Sequence, residues 1–400
     1  MSDVVETVAT SRNPVRVAAG ALTTTVAVSV PVFLVGGLAV QISDELRLSP
    51  AGLGLAVSAY FGASALASVP AGALVERFGA VRVSRAGILL AAASLVMIAV
   101  AARALWSLVA ILVLGAAANA MGQLSSNVAL SQYVPARRQG LSFGVKQAAI
   151  PVCTLLAGVA VPTVALTLGW RWAFVLAGVL AAGAVLLVPA GGRKSHPEKG
   201  RATGALVVIA IGATLAAGSA NALGTFLVDS AVARGIAPGA AGLSLTLGSA
   251  VCVAARVLTG WRADKHPGGQ LGVVAALLAC GAAGLLLLAT PGLVPLIVGV
   301  VLGFGLGWSW AGLVNFAVVR MHPQAPAAAT SITQTGIYAG GCVGPLGLGA
   351  LATAAGYPAM WIVAAMAMLG AAALMLLGSR LLSSSDPLSS SDPLSSSDPR

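Results

Sequence analysis

Twelve stretches of this 400-residue chain are apolar for long enough to cross a bilayer, which takes about 20 residues of helix. They run at 17–42, 51–75, 84–102, 106–132, 141–167, 172–190, 204–228, 239–261, 271–289, 294–319, 330–354 and 358–379. The composition leaves little alternative. The chain is 58% hydrophobic and 8% charged, where soluble domains are about a quarter charged. Hydrocarbon offers no partner to a free backbone N–H or C=O, so such stretches must be helical. The expected class is an all-α integral membrane protein.

Several function classes fall away at once. The net charge of +11 comes from Lys and Arg in short loops, with no dense basic patch, so nucleic acid is not an expected partner. Cys153, Cys252, Cys280 and Cys342 sit inside apolar segments without metal-ligand spacing and read as small buried residues. The histidines, His196, His266 and His322, lie in loops. No Ser/His/Asp set, carboxylate pair or metal cluster suggests an enzyme, and no cofactor is expected. The polar start, 1–14, followed by a long apolar segment without a cleavage site, does not read as a signal peptide.

Loop cations set the orientation. One side collects fifteen Lys and Arg, among them Arg77, Arg82, Arg138, Lys194, Lys265 and Arg320; the other holds Arg47, Arg103, Arg171 and Arg234. By the positive-inside rule both termini face the cytoplasm, and the expected location is the inner (cytoplasmic) membrane, crossed many times. Trp106, Trp170 and Trp172 then mark the outer interface. The organisation expected is a six-helix bundle at 1–190, a cytoplasmic linker at 191–203, a second six-helix bundle at 204–380, and a disordered low-complexity tail at 381–400 built on LSSSDP.

The two halves match. Gly72, Glu76 and Arg77 align with Gly260, Asp264 and Lys265 at a spacing of 188 residues. The same register pairs Pro50 with Pro238, Gly115 with Gly303 and Asn127 with Asn315; one residue out of it, Gln147 meets Gln334 and Gly169 meets Gly356. Repeated membrane halves hold a substrate site between them and rock about it.

Twelve spans, the six-plus-six repeat, the basic central loop and the run Gly72-Ala-Leu-Val-Glu76-Arg77-Phe-Gly79-Ala-Val-Arg82 resemble the major facilitator superfamily. The signature after that family's second span is Gly, three residues, an acid, a base, one residue, Gly and a nearby base. Every element is present, and Gly260, Asp264 and Lys265 form a degenerate copy after span eight. The resemblance covers about 16–378 and implies two pseudo-symmetric six-helix bundles, secondary transport, and a conformational latch at these residues, where acid and base cross-link helix ends. It also departs from the family pattern. Span four, from Gly115 to Gly122, lacks the Arg of many proton-coupled members, and span five lacks the Gly-Pro run of drug/proton antiporters. Both count against a drug exporter.

Two cations lie inside spans, where charge is costly and functional by default. Lys146 is six residues into span five from Gly140, and Arg256 is six residues before Arg262 in span eight. Each is about 9 Å inside the membrane edge at 1.5 Å per residue. The resemblance places those spans opposite each other across the seam. All eleven acids sit at span ends, in loops or in tails, with Asp229 nearest the core. An anionic substrate is the simplest missing partner. The structural alternatives are that Lys146 snorkels to the headgroups, and that Arg256 answers helix-end carbonyls or Asp264. An Arg on span eight is similar to what oxalate/formate, nitrate/nitrite and animal monocarboxylate members use. The nitrate porters' second Arg, on span two, is replaced here by Ser64 and Ser68, which favours a small organic anion over nitrate.

The resemblance makes spans one, four, seven and ten line the cavity. Asn119, Gln123 and Asn127 share one face of span four. Asn221 lies on span seven, Trp308 and Asn315 on span ten, and Gln334 and Tyr338 on span eleven. Amide glue between helices is the alternative use. The functional expectation is a monomeric secondary transporter of a small, monocarboxylate-like organic anion, with a proton or counter-anion as coupling partner. An exporter of drugs or secondary metabolites is the alternative.

Overall fold

The computed structural model describes residues 14–135, 138–188, 204–266, 268–321 and 326–384. Every regular element among them is helical. Eleven helical segments are long and apolar enough to cross a membrane. The last, Pro326–Ser384, is two helices joined at Gly356, whose φ of 82° and ψ of 168° are non-helical. Counted through that break, the spans are twelve. Gly169, the repeat mate of Gly356, has φ 96° and ψ 149° and precedes the sixth span, Trp170–Ala184. Both halves therefore enter their last helix through the same left-handed turn, which favours glycine.

The expected linker at 191–203 lies outside the described residues, and so do His196, His322 and everything beyond Ser384. The first span, Pro14–Gly37, ends sooner than its hydropathy suggests, and a separate short helix, Ala39–Leu46, follows. Span two, Pro50–Phe78, begins with a proline at its first turn and Ser49 as cap, whose Oγ accepts from Gly52 N at 3.2 Å.

Large apolar side chains such as Leu66, Leu180 and Leu186 stand exposed on the bundle surface, as lipid contact requires. That inversion corrects two expectations. Cys280 is exposed rather than buried, because an apolar position in this chain can face lipid. Trp106 and Trp172 are exposed, but Trp170 is buried, with its Nε1 donating to Glu45 at 2.6 Å. Arg171 completes that clamp, 2.7 Å from Glu45 and from the carbonyls of Ala99 and Ala102. The guanidinium of Arg171, more than the indole, holds the Glu45 carboxyl below its ordinary range.

The two halves meet where span one faces span seven, span two faces span eleven, and span five faces spans eight and ten. At the end away from the termini they leave no room for a side chain. A Cβ on Gly36 of span one would strike the Gly224 carbonyl of span seven, Gly204–Val232. A Cβ on Gly54 would strike the carbonyl of Pro345 on span eleven, and one on Gly349 would lie 2.6 Å from Pro50 O. Ala51 N donates across the same seam to Thr353 Oγ1 at 3.0 Å. Span eight, Pro238–Lys265, packs along the whole of span five, with Thr154 and Ser249 hydroxyls 2.7 Å apart. Between spans two and eleven the fit loosens toward Gly72. Gly62 still meets Cys342, at 3.2 Å from its Cβ position, whereas Gly72 meets nothing within 4 Å.

Candidate functional site

Two helices that hydropathy reads as continuous are interrupted, and the interruptions make the site. Span five is split into Gln139–Gln147 and Ala149–Ala160. Pro151 has no N–H, so the carbonyl of Gln147, four residues back, loses its helical donor. Span ten runs as Leu293–Leu302, passes through a π-turn at Gly303–Gly307, breaks at Trp308 (φ −114°, ψ 0°) and resumes at Ala311–Met321. The carbonyl of Trp308 is thereby left outside any regular turn.

Arg256 answers both. Its Nε and Nη2 donate to Trp308 O at 3.1 and 2.5 Å, and its Nη1 donates to Gln147 O. A buried unpaired carbonyl is costly, so one side chain repairs a defect in each half and joins the halves while doing so. The carbonyl role weighed from sequence is thus occupied by three of the five guanidinium donors. Asp264 is not its partner.

Lys146 does not snorkel. It is 2% exposed, and its Nζ donates to Gln123 Oε1 at 2.5 Å. Arg256 is also 2% exposed. Among the described residues the one acid–base ion pair is Arg171 with Glu45, far from both cations. Asp229 is engaged elsewhere, accepting from the hydroxyl of Tyr357.

Between the halves lies a cavity of about 70 Å³, room for roughly five waters at 10–15 Å³ each. Of the expected site residues, Arg256, Asn119, Gln123, Asn221, Trp308, Gln334 and Tyr338 line it. Lys146 stands one side chain behind, through Gln123. Asn127 and Asn315 are not in its wall; the amide oxygen of each is buried with no hydrogen-bond donor among the described residues. Part of the amide stripe is glue, since Asn119 Nδ2 donates to Ser64 Oγ of span two at 3.2 Å, whereas Asn221 Nδ2 turns back to Ala217 O of its own helix at 2.8 Å. Sequence reasoning missed Tyr60, Phe61 and Gln147 as wall residues. The adjacent Tyr60-Phe61 pair, set in a run of small residues, was the available signal.

The two latch copies differ. Asp264 accepts from Gly140 N and Leu141 N of the opposite half, each at 2.9 Å. A Cβ on Gly260 would lie 2.8 Å from Gly140 O, so glycine allows this approach. Lys265 lies instead over the Trp261 ring, 3.8 Å from its centroid. In the first copy Arg77 and Arg82 are exposed, Gly79 turns the chain with φ 83°, and the side chain of Glu76 lies outside the described residues.

Residues 18–208 match the family model described as Major Facilitator Superfamily. No curated protein matches the chain by sequence. Among solved structures, it is similar to a bacterial homologue of the human lysosomal transporter Spinster in an inward-facing and occupied conformation. That likeness has 16% identity and a TM-score of 0.71, over 92% of this chain and 98% of that one. It is also similar to the human organic anion transporter MFSD10 (TETRAN), with 15% identity and a TM-score of 0.68, over 91% of this chain and 100% of that one.

Proposed function

We propose that this chain is a multi-pass secondary transporter of the major facilitator superfamily, whose model matches residues 18–208, and that its cargo is a small organic anion carried by alternating access. The observation that carries the reading is the charge balance at the seam. Lys146 from one half and Arg256 from the other are buried beside one cavity, with no carboxylate among the described residues that line it. Amide and carbonyl oxygens share their protons but do not cancel two charges in a low dielectric. A carboxylate entering the cavity would. The organic anion named for MFSD10 agrees in charge, although at this identity the likeness speaks to fold alone.

The positive-inside asymmetry puts the termini in the cytoplasm. On that orientation, the close contacts of Gly36, Gly54 and Gly349 support a state closed on the outer side. Arg256 is suited to report cargo because it already spans the seam: a bound carboxylate would compete with the Gln147 and Trp308 carbonyls for its protons. Exchange of those partners would loosen one closure while another forms.

The test is binding to purified protein of a short monocarboxylate and its amide, read as thermal stabilisation. The acid should stabilise and the amide should not. Equal stabilisation by both, or preference for the matching amine, would remove the anion reading and favour the drug exporter.

A further inference from the structure

The chain has 8 Phe, 7 Trp and 4 Tyr among its 400 residues and builds its apolar surfaces from small and aliphatic side chains. Six of those aromatics nevertheless surround the cavity beside Arg256: Phe33, Tyr60 and Phe61 from the first half, and Trp308, Trp310 and Tyr338 from the second. Leu or Val would have served to keep the wall apolar, as they do elsewhere in the core. The rings also meet edge to face or tilted rather than in stacked pairs. Tyr60 and Phe61 stand at 86° with centroids 5.6 Å apart, Phe33 and Phe61 at 67° and 6.4 Å, and Phe33 and Trp308 at 57° and 5.9 Å. Such a wall offers ring edges and faces at right angles to one another, the arrangement a flat ring needs in order to meet both.

Charge adjoins this wall. The guanidinium carbon of Arg256 is 6.0 Å from the centroid of the Trp308 ring, so a group held by Arg256 begins within a ring's length of the aromatic surface. The indole of Trp310 is 1% exposed, and its Nε1–H meets no acceptor among the described residues. Buried donors almost always have a partner.

We propose that the cargo is an aromatic monocarboxylate, a single flat ring bearing one carboxylate. The carboxylate lies toward Arg256 and Lys146, and the ring lies between the three aromatics of each half. This rests on the organic-anion reading and adds the ring. Because the two sets of aromatics belong to different halves, a ring between them would be held from both sides of the seam, and its departure would free them to part.

Three probes of similar size separate the claims: benzoate, cyclohexanecarboxylate and benzamide, each measured by thermal stabilisation of the full chain in detergent. Benzoate should bind about tenfold more tightly than cyclohexanecarboxylate, and benzamide should bind more weakly than benzoate. Equal binding of the two acids overturns the aromatic assignment and leaves the anion reading standing. Equal binding of benzoate and benzamide overturns the anion reading. No stabilisation by any of the three overturns both. Phe61→Leu should abolish the preference for benzoate over the saturated acid while keeping discrimination of acid from amide, which shows that the variant is folded. A Phe61→Leu protein that retains the full ring preference places the ring away from this wall and overturns the proposal.

Discussion

The carboxylate of Asp264 accepts from the backbone N–H of Gly140 at 2.9 Å and, with its other oxygen, from that of Leu141 at 2.9 Å. An acid of the second half thus caps the first turn of a helix in the first half, where backbone donors are free and the helix end is positive. Asp264→Asn keeps one acceptor and loses the charge. It should lower stability by about 0.3–1 kcal/mol, the worth of the charge at the helix end, and raise labelling of cysteines introduced at the mouth nearest the termini. Labelling that stays unchanged would mean this cap does not bias the conformational balance. Glu76→Ala, tested in parallel, measures whether the first copy of the motif acts as a latch as well.

Arg256 supplies three hydrogen bonds to two carbonyls that a helix break and a proline have left without donors. Arg256→Ala should abolish transport in vesicles and cost about 1–3 kcal/mol in thermal unfolding, the penalty for uncovered buried acceptors. Arg256→Lys offers no planar fork to bridge the two carbonyls and should recover little of either. Near wild-type uptake by the Ala variant would remove Arg256 from the site.

Among the described residues, Gln123 is the side chain that accepts from the Lys146 ammonium. Gln123→Glu provides the carboxylate that the cavity lacks. It should pair with Lys146 and weaken binding of a carboxylate ligand by about tenfold, with thermal stability equal or higher. Lys146→Gln should lose most transport while Lys146→Arg keeps part. If Gln123→Glu binds the acid as wild type does, Lys146 contributes no charge to the ligand.

Gly158 meets span eight so closely that a Cβ would lie 2.5 Å from both Gly242 O and Thr246 Oγ1. Gly158→Ala should therefore force spans five and eight apart, at about 1–3 kcal/mol of overpacking. Crosslinking of cysteine pairs placed across this contact should fall. Full crosslinking would show that span five shifts without separating.

Glu45 gives a pH dependence whose sign follows from its clamp. Its carboxyl is held below the ordinary range, first by the Arg171 hydrogen bond, so folding favours its ionised form. The stabilisation is present above the unfolded pKa, near 4.3 for Glu, and is lost as pH falls through the lower folded value. Glu45→Gln should remove that acid-side decline and little else, since the pair is partly solvated and modest in worth. Parallel acid unfolding curves for the two proteins would refute it.

Sequence alone determined the membrane class, the number of spans and the duplication, because each depends on patterns that any bilayer-spanning helix must obey. Hydropathy length counts residues against a fixed hydrocarbon thickness, and the internal repeat is carried by residues with special backbone roles, such as Gly169 and Gly356, one residue out of the main register, with their positive φ. The buried cations were equally legible, since a Lys and an Arg inside apolar runs are visible by contrast alone. Tertiary structure decided what those charges touch. Pro151 marks the freed Gln147 carbonyl in the sequence, but hydropathy is blind to the break at Trp308, so the anchoring of Arg256 across both could not be foreseen. Helical spacing put Asn127 on one face with Asn119 and Gln123, but the cavity occupies only part of that face, and depth along a helix depends on how the halves pack. The aromatic wall escaped the one-dimensional reading for the same reason. Its six rings come from four spans of two halves, and only the closure of the seam brings them around a single space.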